Sequence, residues 1–575
     1  MLFDENIPFI EHDIRQINSF NMGRLKGLGR MARGTKKSKE MTLENVLWNC
    51  RNELRGIGST EKNRDAVIFL VFLKFAGDKF EKRYGELKQQ YGSNEGLFNI
   101  VKEKASSYNA VNVFYLNETS RWSYIVAHAG DNDIAVILDT AMADIEKMNP
   151  SLQGALSSRD KDGNPVYTFF ATLGATTAKL KSLIDDVNQI DINHFREEDL
   201  IGRVYEYFLK AYAILGSKED GEFYTPSCAV KLIAELIEPY SGVVYDPCCG
   251  SGGMFVQSMK FVDRHQGNRQ QISIIGQESN ADTWRLCKMN LAIRGIAHNL
   301  GEKNASTFTD DLHKDKKVDY VMANPPFNLK NWRTEKELTD DPRFKGYGGV
   351  MPPLSNANYA WIEHIISKLD VTHGIAGFLL ANGALNASGD EQTIRKAILD
   401  KDLVEAIIVL PRDMFYTTDI SVTLWIINMN KHASMVHGRA VRDRTKQILF
   451  MDLRTWNQHI EEIVIDKGKK KKKTILTDEE IAKVKEVYHN WQSADTTLYQ
   501  NVPEFCQSVT LDEIATKDYS LAPSKYIEFI DHDLDIDYKK EMARIQAEMQ
   551  EVLKTEKKSQ KMLEDAFRGI GYGID

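Results

Sequence analysis

Two short segments combine residue types that can do chemistry on a nitrogen atom. The first is Asp246-Pro247-Cys248-Cys249-Gly250-Ser251-Gly252-Gly253, directly after the apolar run GVVYD. Gly250, Gly252 and Gly253 allow a tight turn and let a ligand approach the backbone. The spacing is not GxGxxG and no Lys-Ser/Thr pair follows, so neither a pyrophosphate fingerprint nor a phosphate-cradling loop fits. An acidic strand end, Asp246, beside glycines suits a cationic ligand such as the sulfonium and ammonium of S-adenosylmethionine, although a glycine turn alone is weak support. The second segment is Asn324-Pro325-Pro326-Phe327, after VDYVMA. An amino nitrogen conjugated to a ring is a poor nucleophile because its lone pair is delocalised. If the Asn324 side-chain oxygen and the Pro325 carbonyl each accept one N–H, the nitrogen is drawn towards tetrahedral geometry and its lone pair is freed. The successive prolines fix the backbone that aims these acceptors. Phe327 offers a flat face for a planar substrate, worth roughly 1–3 kcal/mol per base in single-strand binders. Taken alone, the tetrapeptide is also a Pro-rich turn ending a strand; its order behind the glycine turn favours the chemical reading.

Further side chains stand at related places. Glu278 ends the run ISIIGQE, where a carboxylate can accept both hydroxyls of a ribose. Asp310, in TFTDDL, is placed to accept from an adenine amino group or, equally, to cap a helix. Upstream, Glu222-Phe223-Tyr224-Thr225-Pro226 can close over the methionine end of the cofactor through Thr225 and backbone groups. By itself that segment is only an aromatic turn. The pair Cys248-Cys249 reads as packing rather than redox chemistry, and no metal site is expected.

The elements that must position these residues follow from pattern. Between Val243 and Asn430 the runs GVVYD, ISIIGQE, VDYVMAN, IAGFLLA, VEAIIVL and VTLWIIN alternate with helical segments such as Gly252 to Phe261 and Asp282 to Arg294. Such alternation predicts an α/β fold with a mostly parallel sheet covered on both faces. Ligands then bind beyond the carboxyl ends of the strands, where the singled-out residues lie. From Thr42 to about Ala213 the pattern is helical, as in Asn63 to Arg83, Thr168 to Asp186 and Leu200 to Leu215. Past Asn430 come one more strand, ILFMDLR, and a helix over Leu476 to Gln492. Between them Lys469 to Lys473 form a lysine run, either a solvated loop or a phosphate contact. Near the C-terminus Tyr538, Met542, Ile545, Met549, Val552, Glu556, Ser559, Leu563 and Ala566 recur at steps of four and three. This heptad seam predicts a helix that packs on its own protein or on a partner. Gly23 to Lys39 reads as a flexible basic lead-in.

Composition bounds these readings. Of 575 residues, 42% are hydrophobic and 27% charged, which excludes a largely disordered or fibrous chain. The longest apolar run, Ala66 to Leu73, falls well short of the ~20 residues of a bilayer span. No apolar signal core opens the chain, and six cysteines without a CxxC pair argue against a zinc ribbon or a disulfide framework. A cytoplasmic location is expected. A net charge of -8 means that any nucleic-acid contact must use a local patch or a partner.

EFYTP before DPCCGSGG, then GQES, NPPF, the stretch DPRFKGYGGVMPPLSNANYAWIEHI, LPRDMFYTTDI and the tail phrase YSLAPSKYI together carry a likeness. From about Met41 onwards the chain resembles amino-methylating DNA methyltransferases, and within them the modification subunit of type I restriction-modification systems. The resemblance implies a Rossmann-like S-adenosylmethionine-dependent methyltransferase domain with an N-terminal helical domain and a C-terminal helical tail. Its parts would be a basic extension (1–40), a helical domain (41–215), the catalytic domain (216–465), a C-terminal extension (466–530) and a docking helix (531–575). Glu222, Phe223, Tyr224, Thr225, Pro226 and Ser227 would bind S-adenosylmethionine together with Asp246, Gly250, Ser251, Gly252, Gly253, Glu278 and Asp310. Asn324, Pro325, Pro326 and Phe327 would form the adenine-N6 site, with Phe415 and Tyr416 near the extruded base. The resemblance further implies duplex DNA as substrate, a specificity subunit bound by two modification subunits, a restriction subunit in the full complex, and no membrane. Two rivals are a methyltransferase of amide nitrogen in protein and a non-catalytic scaffold of a DNA-bound complex. An intact NPPF speaks against the scaffold.

Overall fold

A computed structural model describes residues 43–190, 225–415, 419–466, 469–530 and 538–569. The basic lead-in and the helix expected over Leu200 to Leu215 lie outside them.

The amino-terminal part is built on helices α1 (Leu43–Glu53), α2 (Thr60–Tyr91), α3 (Ile134–Met148) and α4 (Thr177–Asn188), with shorter helices between. Ser59 caps α2 by accepting from the Lys62 N–H, which supplies one of the partners that a helix start lacks. Every residue from Ala66 to Ala76 is buried, so α2 is the central rod of this core rather than a surface helix. Leu180, Leu183, Ile184 and Val187 of α4 join the same core. The helix expected over Thr168 to Asp186 begins only at Thr177, because Thr176 caps it by accepting from the Lys179 N–H. A two-residue ladder, Ser158–Arg159 with Pro165–Val166, interrupts the otherwise helical region.

Helices α5 (Ser227–Ile237), α6 (Gly253–Arg264), α7 (Ala281–Ile293), α8 (Asn358–Lys368) and α9 (Asp390–Asp400) flank a central sheet. Its strands are β1 (Gly242–Asp246), β2 (Ile272–Gly276), β3 (His298–Asn299), β4 (Tyr320–Ala323), β5 (Ile375–Ala381), β6 (Val404–Val409), β7 (Val422–Asn428) and β8 (Gln447–Asp452). Next come a separate hairpin of β9 (Ile460–Asp466) and β10 (Lys469–Thr474), helix α10 (Asp478–Gln492) and a last sheet strand, β11 (Cys506–Thr510). Among the described residues the sheet has nine strands in the order β11-β8-β6-β7-β5-β4-β1-β2-β3. All pairs from β5 to β3 are parallel, as is β8 with β6. β7 runs antiparallel between β5 and β6, and β11 is an antiparallel edge. The sheet is therefore mostly parallel, as expected, with β7 and β11 as its two antiparallel strands. The chain returns from β6 to β7 without a crossover helix, and only an antiparallel return can do that in so short a span.

The helical core continues onto Leu286, Met289, Ala292 and Ile293 of α7. The buried Glu146 carboxylate adds to this junction by accepting from the N–H groups of Gly154, Leu156 and Ser157. The lysine run forms strand β10 rather than a loop, with Glu461 and Glu462 of β9 in register with Lys473 and Lys472. Opposite charges facing across a ladder favour the extended conformation that a run of like charges would not adopt alone. The predicted seam lies on helix α11 (Tyr538–Gly569), where Tyr538, Met542, Ile545, Met549, Val552 and Leu563 are all exposed. No helix of the described residues is long and apolar enough to cross a membrane.

Candidate active site

The glycine turn leaves the carboxyl end of β1 and runs into the first turn of α6. Gly250 and Gly252 have φ of +52° and +84°, which L side chains rarely adopt. A Cβ at Gly252 would also stand 3.0 Å from the Cys287 sulfur of α7, so both conformation and space require glycine there. At Gly250 and Gly253 a Cβ would meet nothing within 4 Å, so the turn leaves open room beside its backbone. Ser251 accepts from Asn290 through its carbonyl at 2.7 Å, which ties the turn to α7.

Carboxylates border this room. Asp246 is buried and accepts from the Cys248 N–H at 3.0 Å; burial, with the nearby Glu278, pushes its carboxyl up to about 7. Glu278 follows the end of β2 and bridges two elements by accepting from Gly250 N–H at 3.0 Å and Asn280 N–H at 2.9 Å. Burial raises its carboxyl above the ordinary value as well. Two dehydrated carboxyls so close together gain by receiving a cation or hydroxyl donors. The Asp310 carboxylate pairs with Lys303 at 2.7 Å, while its carbonyl accepts from Gln277 Nε2.

Asn324 stands just past β4. Its Nδ2 donates to Thr225 Oγ1 at 2.8 Å, whereas its Oδ1 is buried without a hydrogen-bond partner among the described residues. Thr225 thus meets the residue expected to do the chemistry, a contact that the sequence did not disclose. Pro325 is buried, and Pro326 and Phe327 are half-buried. Cys248 joins the two motifs, because its thiol contacts Asp246 and accepts from the Asn324 N–H, and burial holds that thiol far above its ordinary value. Cys249 packs its sulfur 3.8 Å from that of Cys287 inside the core. Phe415, on the loop after β6, is buried and meets Phe327 edge-on with ring centres 6.0 Å apart. Pro226 and Ser227 line a cavity of about 420 Å³ with Met414 and Lys473. Glu222, Phe223, Tyr224 and Tyr416 lie outside the described residues.

Residues not singled out individually hold this arrangement in place. Asn358, at the start of α8, accepts from Asn328 N–H at 3.0 Å and donates to Asn328 Oδ1 at 2.9 Å. It thereby fixes a residue at φ +55°, immediately after Phe327. Arg343 donates to the carbonyls of Thr307 and Phe308 at 2.8 and 2.5 Å, pairs with Asp341, and contacts His364 Nδ1 at 3.0 Å. A guanidinium only donates, so Nδ1 accepts and Nε2 carries the proton that faces the Tyr245 hydroxyl. Phe344 packs in a buried aromatic cluster with Phe308, Trp332 and Trp361. These residues are the DPRF and NANYAWIEH phrases of the sequence, which turn out to brace the loops at the sheet edge.

Comparison with known proteins agrees with this geometry. The N-6 DNA Methylase family model matches residues 196–534, and that of the HsdM N-terminal domain matches residues 43–187. The chain is 37% identical over 447 residues to the type I restriction enzyme HindI methylase subunit of Haemophilus influenzae, covering 76% of this chain and 93% of that one. It is 31% identical over 540 residues to the MjaIX methylase subunit of Methanocaldococcus jannaschii, covering 92% and 91%. The solved methyltransferase subunit of a type I restriction-modification system from Streptococcus thermophilus shares the fold, with a TM-score of 0.65 and 21% identity over 85% of this chain and all of that one. Neither the protein-amide reading nor the non-catalytic one is favoured by these likenesses. The chain belongs to the N-6 DNA methylase family, among the methylase subunits of type I restriction enzymes, and is an S-adenosylmethionine-dependent adenine-N6 DNA methyltransferase.

Proposed function

We propose that Asn324, Pro325, Pro326 and Phe327 receive the target adenine and that the glycine turn with Asp246 and Glu278 receives the methyl donor. The observation that carries this reading is the buried Asn324 Oδ1, unpartnered among the described residues, beside an Nδ2 already fixed by Thr225. A buried acceptor without a donor costs about 1–3 kcal/mol, and an incoming N–H recovers it. The donor site fits on the same footing, since the open face of the turn adjoins two carboxyls whose charged forms lose more by burial than their backbone hydrogen bonds return.

Asn324 Oδ1 and the Pro325 carbonyl accept the two N6 hydrogens, and the lone pair on N6 is thereby aimed away from the ring. When bound, S-adenosylmethionine supplies the methyl group and leaves as a thioether. The N6–carbon bond forms as the sulfur–carbon bond breaks, and the extra N6 proton passes to water, so no deprotonating side chain is needed. Phe327 presents its ring to the base, with the buried Phe415 packed edge-on against it. Extruding that base from duplex DNA costs a few kcal/mol in pairing and stacking, which these interactions offset. Catalysis is then chiefly positioning, with binding strongest in the transition state. The exposed seam of α11 docks a specificity subunit, two copies of this chain to one, and a restriction subunit completes the assembly. Such a complex operates in the cytoplasm.

The test uses the complex with its specificity subunit, labelled donor and duplex DNA. Asn324→Ala should lower methyl transfer at least about a hundredfold, or ~2.7 kcal/mol, with donor affinity within about twofold of wild type. Transfer at the wild-type rate would remove Asn324 from the mechanism.

A further inference from the structure

The β9–β10 hairpin touches the site as described where Lys473 lines the cavity with Pro226 and Ser227, and its placement is specific. β1, β2, β4, β5, β6 and β8 are mutually parallel, so the segments that follow them all leave the same edge of the sheet. The glycine turn, Glu278, Asn324, the Phe415 loop and, after β8, the hairpin therefore share that edge. The hairpin is also tied to the Phe415 loop from both sides. Thr474 N–H donates to the Asp413 carbonyl at 3.0 Å, and the buried Lys473 ammonium pairs with Asp419 at 2.9 Å. Lys473 is thus an anchor. Beyond it Lys472 is exposed and in register with Glu462, Lys469 is in register with Asp466, and Lys471 and Lys470 are in register with Ile463 and Val464. In sequence, residues 460–474 hold six lysines and three acidic residues, in a chain whose net charge is -8. On the Phe415 loop itself Arg412 is exposed.

We propose that this hairpin is a phosphate-binding arm, which lies along the duplex backbone beside the extruded adenine and steadies the DNA without reading its sequence. The inference rests on duplex DNA as the substrate and names where an acidic chain meets it. Interactions with phosphates fix register and orientation and carry no sequence information directly. Charge complementarity selects this occupant: closely spaced cations on an extended strand suit a regular row of phosphates.

The measurement is the affinity of the complex with its specificity subunit for two duplexes, one carrying a mapped methylation site and one scrambled, as a function of salt. In the variant with Lys469, Lys470, Lys471 and Lys472 each replaced by Gln, and Lys473 kept, both dissociation constants should rise together by tenfold or more near physiological salt. The slope of log K against log salt should become shallower by about 0.9 for each phosphate that the arm no longer neutralises. The single Lys472→Gln, at an exposed position, should flatten the slope by about one such step, and the matching Lys→Arg set should restore it. Unchanged slopes in both Gln variants, or weakening confined to the cognate duplex, would overturn the proposal, as would loss of the specificity subunit from an otherwise folded variant. Methylation by the wild-type complex is scored separately, so failure of the adenine reading would appear there and not in the salt slope.

Discussion

At the scale of single residues, the centre of the site is an amide held half satisfied. Thr225 fixes the Asn324 nitrogen end, so the oxygen end cannot rotate to find another partner. Thr225→Val keeps the shape and removes that acceptor. We expect kcat to fall about tenfold in a methyl-transfer assay, since one hydrogen bond in a buried site is worth roughly 1.4 kcal/mol. Asp246 gives a prediction in pH. Its carboxyl is raised from 3.8 to about 7 in the folded protein. Between those values the folded state keeps a proton that the unfolded state has lost. This residue's contribution to the stability of the free protein is therefore full below about pH 4 and is lost as pH rises to about 7. Cation binding runs the other way, because the ionised form is the one that attracts it. Donor affinity should rise about tenfold from pH 6 to pH 8 if only the ionised form binds. Asp246→Asn should flatten that profile. Asp246 and Asn324 are legible in the sequence because each follows an apolar run and stands near residues of unusual backbone preference, glycines in one case and prolines in the other. The Thr225 contact is not, because it joins positions 99 apart in sequence through a fold that pattern alone does not specify.

At the scale of elements, the strands ending at Asp246, Ala323, Ala381 and Asn428 coincide closely with apolar runs visible in the sequence. Their alternation with helices also implies the parallel direction that all but β7 and β11 adopt; β7 enters in reverse, a departure that the runs themselves do not announce. The lysine run misleads for a related reason. Its extended form depends on carboxylates about ten residues earlier, a pairing that emerges only once the hairpin closes. The bracing role of α8 is likewise a tertiary property. Asn358→Ala should release Asn328 from its left-handed conformation and loosen the NPPF turn. We expect kcat to fall while donor affinity and melting temperature stay near wild type, a split that assay and calorimetry together would resolve. Loss of donor binding in that variant would place the brace on the glycine turn instead.

At the scale of the whole molecule, a helical domain is fused by its core to α7, directly behind the glycine turn, and a long exposed helix closes the described chain. The apolar seam of α11 finds no cover among the described residues, so residue exposure favours the partner over self-packing where periodicity left both open. Removing residues 538–575 should abolish co-purification of the specificity subunit and leave donor binding intact; retained co-purification would assign docking to another surface. The central claim is that Asn324 prepares an adenine N6 for methylation, and it is tested most directly by mapping N6-methyladenine across the genome of cells expressing wild type or Asn324→Ala at equal levels. Wild type should give a two-part motif methylated throughout, and Asn324→Ala should give none of it. A persistent motif in the Asn324→Ala cells would contradict the account.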